Sequence, residues 1–135
     1  MKLSEIEIGH CLPSLTAEPI SRLTLALYCG ASGDHNPIHV DIDYAKQVGR
    51  SDVFAHGMLS MAYLGHVLTR WVPQERLRQF SVRFVAVTQV GDALSSSGKV
   101  VEIDMAAGTA RLEITSRNQA GEIKLSGEAV VALDA

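Results

Sequence analysis

Three absences narrow what this sequence can do. It has no apolar run long enough to span a bilayer, and its opening, MKLSEIEIGH, places glutamates where a secretory signal needs unbroken apolar residues. It has only two cysteines, Cys11 and Cys29, without CxxC spacing, so a disulfide framework or a structural zinc site has little support. Both thiols are expected to be reduced and without a role. It also has no basic field: 12 Lys and Arg are mixed along the chain with 15 Asp and Glu, for a formal net charge of −3, which leaves nothing to grip a nucleic acid backbone. The expectation is a soluble, cytoplasmic protein that binds neither nucleic acid nor membrane.

There is no long linker, low-complexity tract or internal repeat, so residues 1–135 are expected to form a single domain. A hydrophobic content of 47% is enough for one ordinary core. The two halves differ in pattern. From Leu77 to Val90 the composition suits a strand, with a turn at Gly91-Asp92. Strands are also expected over Ala93 to Ile103, around Ala110 to Thr115, and from Ile123 to Leu133, with turns ending at Gly108 and Gly121. Short turns between neighbours predict an antiparallel meander, with a short strand near Ile6 to Ile8 at its edge. Such a sheet needs one face covered, and the first half must cover it.

The cover is expected from Gly57 to Trp71, fifteen residues without proline and apolar over most of the helical circumference. Ser60, Tyr63 and His66 recur every three residues and form one more polar seam, which suits a cavity, a second subunit or solvent. Ser21 to Ser32 reads as a helix with Ser21 as N-cap and Gly33 as terminator, and a short helix is expected over Asp43 to Val48, closed by Gly49. The fold class is α+β.

The segment Ser32-Gly33-Asp34-His35-Asn36-Pro37-Ile38-His39 concentrates a carboxylate, two imidazoles and an amide. Pro37 lacks an N–H and pushes Asn36 towards extended geometry, so an irregular loop of set shape is expected. Asp34 and His39 together can orient a water and pass protons. The residues alone fit an ordinary turn with capping side chains better than a catalytic pair. A metal site is not expected: Pro37 removes the helical geometry that would put His35 and His39 on one face, and no further ligand cluster completes a set. Further on, Ala55-His56-Gly57-Met58 opens the apolar helix. Unpaired amides at a helix start can hold a developing oxyanion, and glycine permits close approach, although a plain turn glycine explains the residue as well.

Taken together, Tyr28, ASGDHNPIH at 31–39, Ala45 and AHGM at 55–58 resemble MaoC-like dehydratases and (R)-specific enoyl-CoA hydratases. YCGASGDHNPIH, AHGM and the VRF at 82–84 also look similar to dehydratase subunits of mycobacterial-type fatty-acid elongation. The resemblance implies a hot-dog fold, an antiparallel sheet wrapped around a long central helix, and a dimer with sites at the subunit boundary. It implies that Asp34 and His39 hold the water that adds to a trans-2-enoyl thioester, giving an (R)-3-hydroxyacyl product, or run the reverse. Asn36 would fix the loop, and the Gly57 amide would receive the thioester oxygen. Asn36, Met58 and Ser60 are expected substrate contacts, and His56 is expected to be structural, at the helix start. Some family members carry a serine where this sequence has Gly65, a departure that leaves acyl preference open.

The expected partners are an acyl-CoA or acyl-carrier-protein substrate and a second subunit, as a homodimer, a higher homo-oligomer or a pairing with a related chain. No cofactor is expected, because the thioester itself acidifies the alpha proton. Arg78, Arg83 and Lys99 are candidates for handle phosphates, although exposed basic residues usually face water. Two rival readings are a non-catalytic hot-dog module that binds acyl thioesters and an acyl-CoA thioesterase.

Overall fold

Alternation along Thr109–Arg117 (β4) decides the core: Ala110, Leu112, Ile114 and Ser116 are buried, while Glu113 and Arg117 face out. This period of two is what a strand with one covered face requires. The computed structural model describes residues 2–134. Around β4 lie Ser95–Asp104 (β3), Ile123–Ala132 (β5), Leu77–Phe84 (β2) and the two-residue Leu15–Thr16 (β1). They form one antiparallel sheet in the order β1-β3-β4-β5-β2.

The sheet wraps the helix Gly57–Thr69 (α3), about 20 Å long at the usual rise. Its two halves serve different clusters. Leu64, Val67 and Leu68 pack into the sheet core with Val100, Leu112, Ile114, Leu125 and Val131. Leu59 instead joins Ile20, Leu25, Ala45, Val53 and Ala55 in a second cluster beneath Arg22–Ser32 (α1) and Ile42–Gln47 (α2). The start of α3 is thus held between the sheet and the two smaller helices.

The helix ends follow their expected chemistry. The Ser21 side chain accepts from the Thr24 amide at 3.1 Å, and Gly33, at φ +75°, closes α1 with its N–H on the Cys29 carbonyl. Asp41 caps α2 through the amides of Asp43 and Tyr44. Helix α3 stops at Thr69, two residues short of the expected Trp71, with Arg70 as its cap.

Three strand expectations are corrected. No strand covers Ile6 to Ile8: residues 3–5 form a 3₁₀ turn, and the chain reaches β3 later, through Gly9 N–H to Val100 O (2.8 Å) and Leu12 N–H to Gly98 O (2.9 Å), before β1. Gly9 at φ +94° breaks the extended run. Strand β2 ends at Phe84 rather than Val90, because the Val85 and Ala86 amides both turn to the Lys124 carbonyl and the next residues pair with the α3 approach, Ala55 N–H reaching Thr88 O at 2.9 Å. Nor is β2 beside β3 in a four-strand meander. It crosses to the far edge and pairs with β5, and only β3, β4 and β5 follow one another directly.

Gly127 makes the β2–β5 pairing possible, since a Cβ there would overlap the Ser81 carbonyl oxygen and lie 2.8 Å from Val82 Cα. Both neighbours are backbone and cannot rotate away. Gly127→Ala is expected to destabilise the fold by about 3 kcal/mol, measured as a lower midpoint in urea unfolding; an unchanged midpoint contradicts this packing.

Candidate active site

The loop before Pro37 is built from side chains that bond to nearby backbone. Ser32 Oγ donates to Tyr28 O at 2.7 Å and accepts from the Asp34 amide at 3.1 Å. Asp34 Oδ1 accepts from the Asn36 amide (3.2 Å), and Asn36 Oδ1 accepts from the Ile38 amide (3.1 Å). Such local bonds are why Ser, Asp and Asn favour turns over regular structure. Pro37–His39 then forms a single 3₁₀ turn, which aims the His39 ring inward.

His39 is buried, and its Nδ1 lies 2.7 Å from the Phe54 carbonyl oxygen. A carbonyl only accepts, so Nδ1 carries the proton and Nε2 is the nitrogen free to exchange one. Nε2 faces Asp34 Oδ2 at 4.0 Å, too far for a direct hydrogen bond but close enough for both to bond one oxygen between them. The two partners differ in setting: the Asp34 side chain is 51% exposed and that of His39 only 10%.

His56 is stacked on His39, with ring centroids 3.9 Å apart and planes 25° off parallel. Its Nε2 donates to the Asp34 carbonyl at 3.3 Å and lies 3.4 Å from Cys29 Sγ, while Nδ1 is buried with no hydrogen-bond partner. Burial lowers the His56 pKa below the ordinary imidazole value, and the charge on His39 lowers it further, against the pull of Asp34. His56 is therefore a neutral ring that joins α1, the Asp34 loop and the His39 face. It makes no side-chain capping bond to α3, so its expected place as a helix-start residue understates its contacts. Cys29, expected to have no role, is the buried sulfur packed behind it.

Gly57 is the first residue of α3, where the amide has no intrahelical acceptor. It lies on a mostly apolar cavity of about 490 Å³, which Asp34, Met58, Ser60 and Phe84 also line. The Phe84 ring rests against Gly57, and a Cβ there would stand 2.8 Å from it. Ser60 Oγ donates to Thr88 Oγ1 (3.4 Å), both residues buried on the cavity's inner side.

Of the expected residues, Asp34, Gly57, Met58 and Ser60 meet at this cavity, and His39 stands directly behind Asp34. Asn36 does not line it; its side chain is exposed and engaged within the loop. The Ser60, Tyr63, His66 seam divides, with Ser60 at the cavity and the other two at a separate groove beside β1. Sequence reasoning missed Phe54 and Thr88, which carry no motif, and gave Phe84 no place at the site although it closes the VRF at 82–84; all three reach the site only through the fold.

Asp34, His39 and His56 each offer a ligand atom within 4.8 Å of the others, a cluster that spacing alone did not suggest. Stacked imidazoles send their in-plane lone pairs side by side instead of converging on an ion, and the His56 Nε2 is already a donor. The set suits proton handling better than coordination.

A His whose folded pKa lies below its unfolded value binds protons more readily when unfolded, so stability is lost as pH falls below about 6.5. His56→Phe, which keeps a ring in the stack, is expected to flatten the fall in thermal midpoint between pH 7 and 5. An identical pH slope in both proteins contradicts a neutral His56.

A family model described as the MaoC like domain matches residues 9–122. An (R)-specific enoyl-CoA hydratase of Rhodospirillum rubrum is 31% identical over 121 residues, covering 88% of this chain and 83% of that protein. The fatty acid synthase subunit beta of Saccharomyces cerevisiae is 25% identical over 130 residues, 94% of this chain, but the chain spans only 6% of the synthase subunit. The solved structure of an R-hydratase from Pseudomonas aeruginosa, unliganded, matches with a TM-score of 0.84 and 30% identity over 98% of this chain and 85% of that one. The sheet around α3 is accordingly the expected hot-dog fold, and the chain belongs to the MaoC-like domain family.

Proposed function

We propose that this protein adds water to trans-2-enoyl thioesters to give (R)-3-hydroxyacyl thioesters, or removes it in the reverse direction, on acyl-CoA or acyl-carrier-protein substrates of cytoplasmic fatty acid metabolism. The observation that carries the reading is the 4.0 Å separation of Asp34 Oδ2 and His39 Nε2 beside the Gly57 amide, at an apolar cavity. The names of the hydratase relatives agree with it.

In this reading one water donates to both Asp34 and His39 Nε2, which turns its oxygen lone pair towards C3 of the enoyl group. As the C3–O bond forms, the C2=C3 π electrons move to the thioester oxygen, and the Gly57 N–H stabilises that charge at the positive end of α3. The acid–base pair takes a proton from the water and returns one to C2. Apolar walls strengthen these interactions by keeping bulk water out.

A second subunit is part of the proposal. Among the described residues β2 pairs with β5 alone, so its outer edge is open. Phe84, Val85 and Met58 are all more than half exposed where the cavity meets that edge, which suits cover by a second copy or a related chain.

The test follows the absorbance of crotonyl-CoA. Asp34→Asn and His39→Ala are each expected to lower kcat by roughly 10²- to 10⁴-fold while remaining folded. Wild-type rates in folded variants overturn the assigned roles. Release of free thiol instead of hydration would mark a thioesterase, and tight binding without turnover a binding module.

A further inference from the structure

The most deeply buried lysine in the molecule takes no part in the proposed chemistry. Lys124 on β5 is 3% exposed, and its neighbour Leu125 lines the cavity. Successive strand side chains point to opposite faces, so Lys124 lies behind the cavity wall that Leu125 faces. Its Nζ donates to the Val87 carbonyl at 2.8 Å, pairs with Asp92 Oδ2 at 3.3 Å and bonds Glu122 Oε1. Its own carbonyl accepts from the amides of Val85 (2.8 Å) and Ala86 (3.3 Å). One residue thus holds three consecutive positions of the wall.

The wall is tied at its other end as well. Asp92 Oδ2 accepts from the Gln89 amide at 2.8 Å and its Oδ1 from Asn118 Nδ2 at 3.2 Å. Thr88 O accepts from Ala55 N–H, two residues before Gly57. Burial opposes the ammonium, but the bonds to Glu122 and Asp92 outweigh it and keep Lys124 charged. A buried ion pair stabilises a fold no better than well-packed apolar residues do, so stability alone gives little reason for a lysine here. What its three acceptors supply is a defined position for the segment.

We propose that Lys124 is a positioning residue that sets residues 85–88 at a fixed distance from Gly57 and Ser60, and so governs how tightly the acyl thioester is held. This rests on the enoyl-thioester reading above. Lys124→Met keeps the stem and removes the charge; Lys124→Arg retains a donor. In the whole protein, Lys124→Met is expected to raise the KM for crotonyl-CoA about tenfold, the weight of one charge-assisted bond, with kcat within about twofold. Lys124→Arg is expected to recover most of the loss. Amide hydrogen exchange is expected to quicken across residues 84–92 and not across β3 and β4.

If Lys124→Met does not fold, Asp92→Asn, which spares the bonds to Val87 and Glu122, is judged by the same measurements. Unchanged exchange over 84–92, or an unchanged KM in a folded variant, overturns the proposal. Failure of the wild type to hydrate crotonyl-CoA and longer 2-enoyl thioesters, on CoA or on carrier protein, would sink the enoyl-thioester reading instead, and exchange over 84–92 would then decide the positioning role by itself.

Discussion

The bond from His39 Nδ1–H to the Phe54 carbonyl is the contact on which the rest of the site depends. It fixes the tautomer, so that Nε2 is the nitrogen facing Asp34. It also joins two places far apart in sequence, the Pro37 corner and the approach to α3, since Phe54 stands three residues before Gly57. The backbone adds to the join through Phe54 N–H and the Ile38 carbonyl at 3.4 Å. Through it Asp34, His39 and the start of α3 are brought to one cavity.

Around that contact the site sorts its ionisable groups by exposure. Asp34 stays half in water, whereas His39 and His56 are buried as a stacked pair. Two such rings cannot both be protonated cheaply. The unpartnered His56 Nδ1 and the desolvation around it make His56 the neutral member, while His39 keeps its Nε2 facing Asp34.

The cavity is set by a strand that leaves its sheet. After Phe84 the chain turns off β5 and runs to Thr88, where it bonds the residue that precedes His56. The departure puts the Phe84 ring against Gly57 and lets Ser60 reach Thr88 from α3. A regular strand to Val90 would have closed this space with side chains. Lys124 meets the departing chain with one acceptor, its carbonyl, and one donor, its Nζ, at the point where sheet bonding stops.

What the sequence determined by itself is local. Ser21, Gly33 and Pro37 act on backbone within a few residues, so the limits of α1 and the bent loop were legible, whereas α2 starts at Ile42 behind its Asp41 cap, one residue before the expected Asp43. Period-two alternation made β4 legible and the turns around it placed β3 and β5, and the motif residues Asp34, His39 and Gly57 stood out by their chemistry. The tertiary structure decided what local chemistry cannot encode: that β2 pairs with β5 instead of β3, that the His56 ring at the start of α3 stacks on His39, and that Phe84 meets Gly57. Each of these depends on which surfaces meet after the sheet has wrapped α3, a matter of long-range packing that the residues nearest in sequence do not constrain.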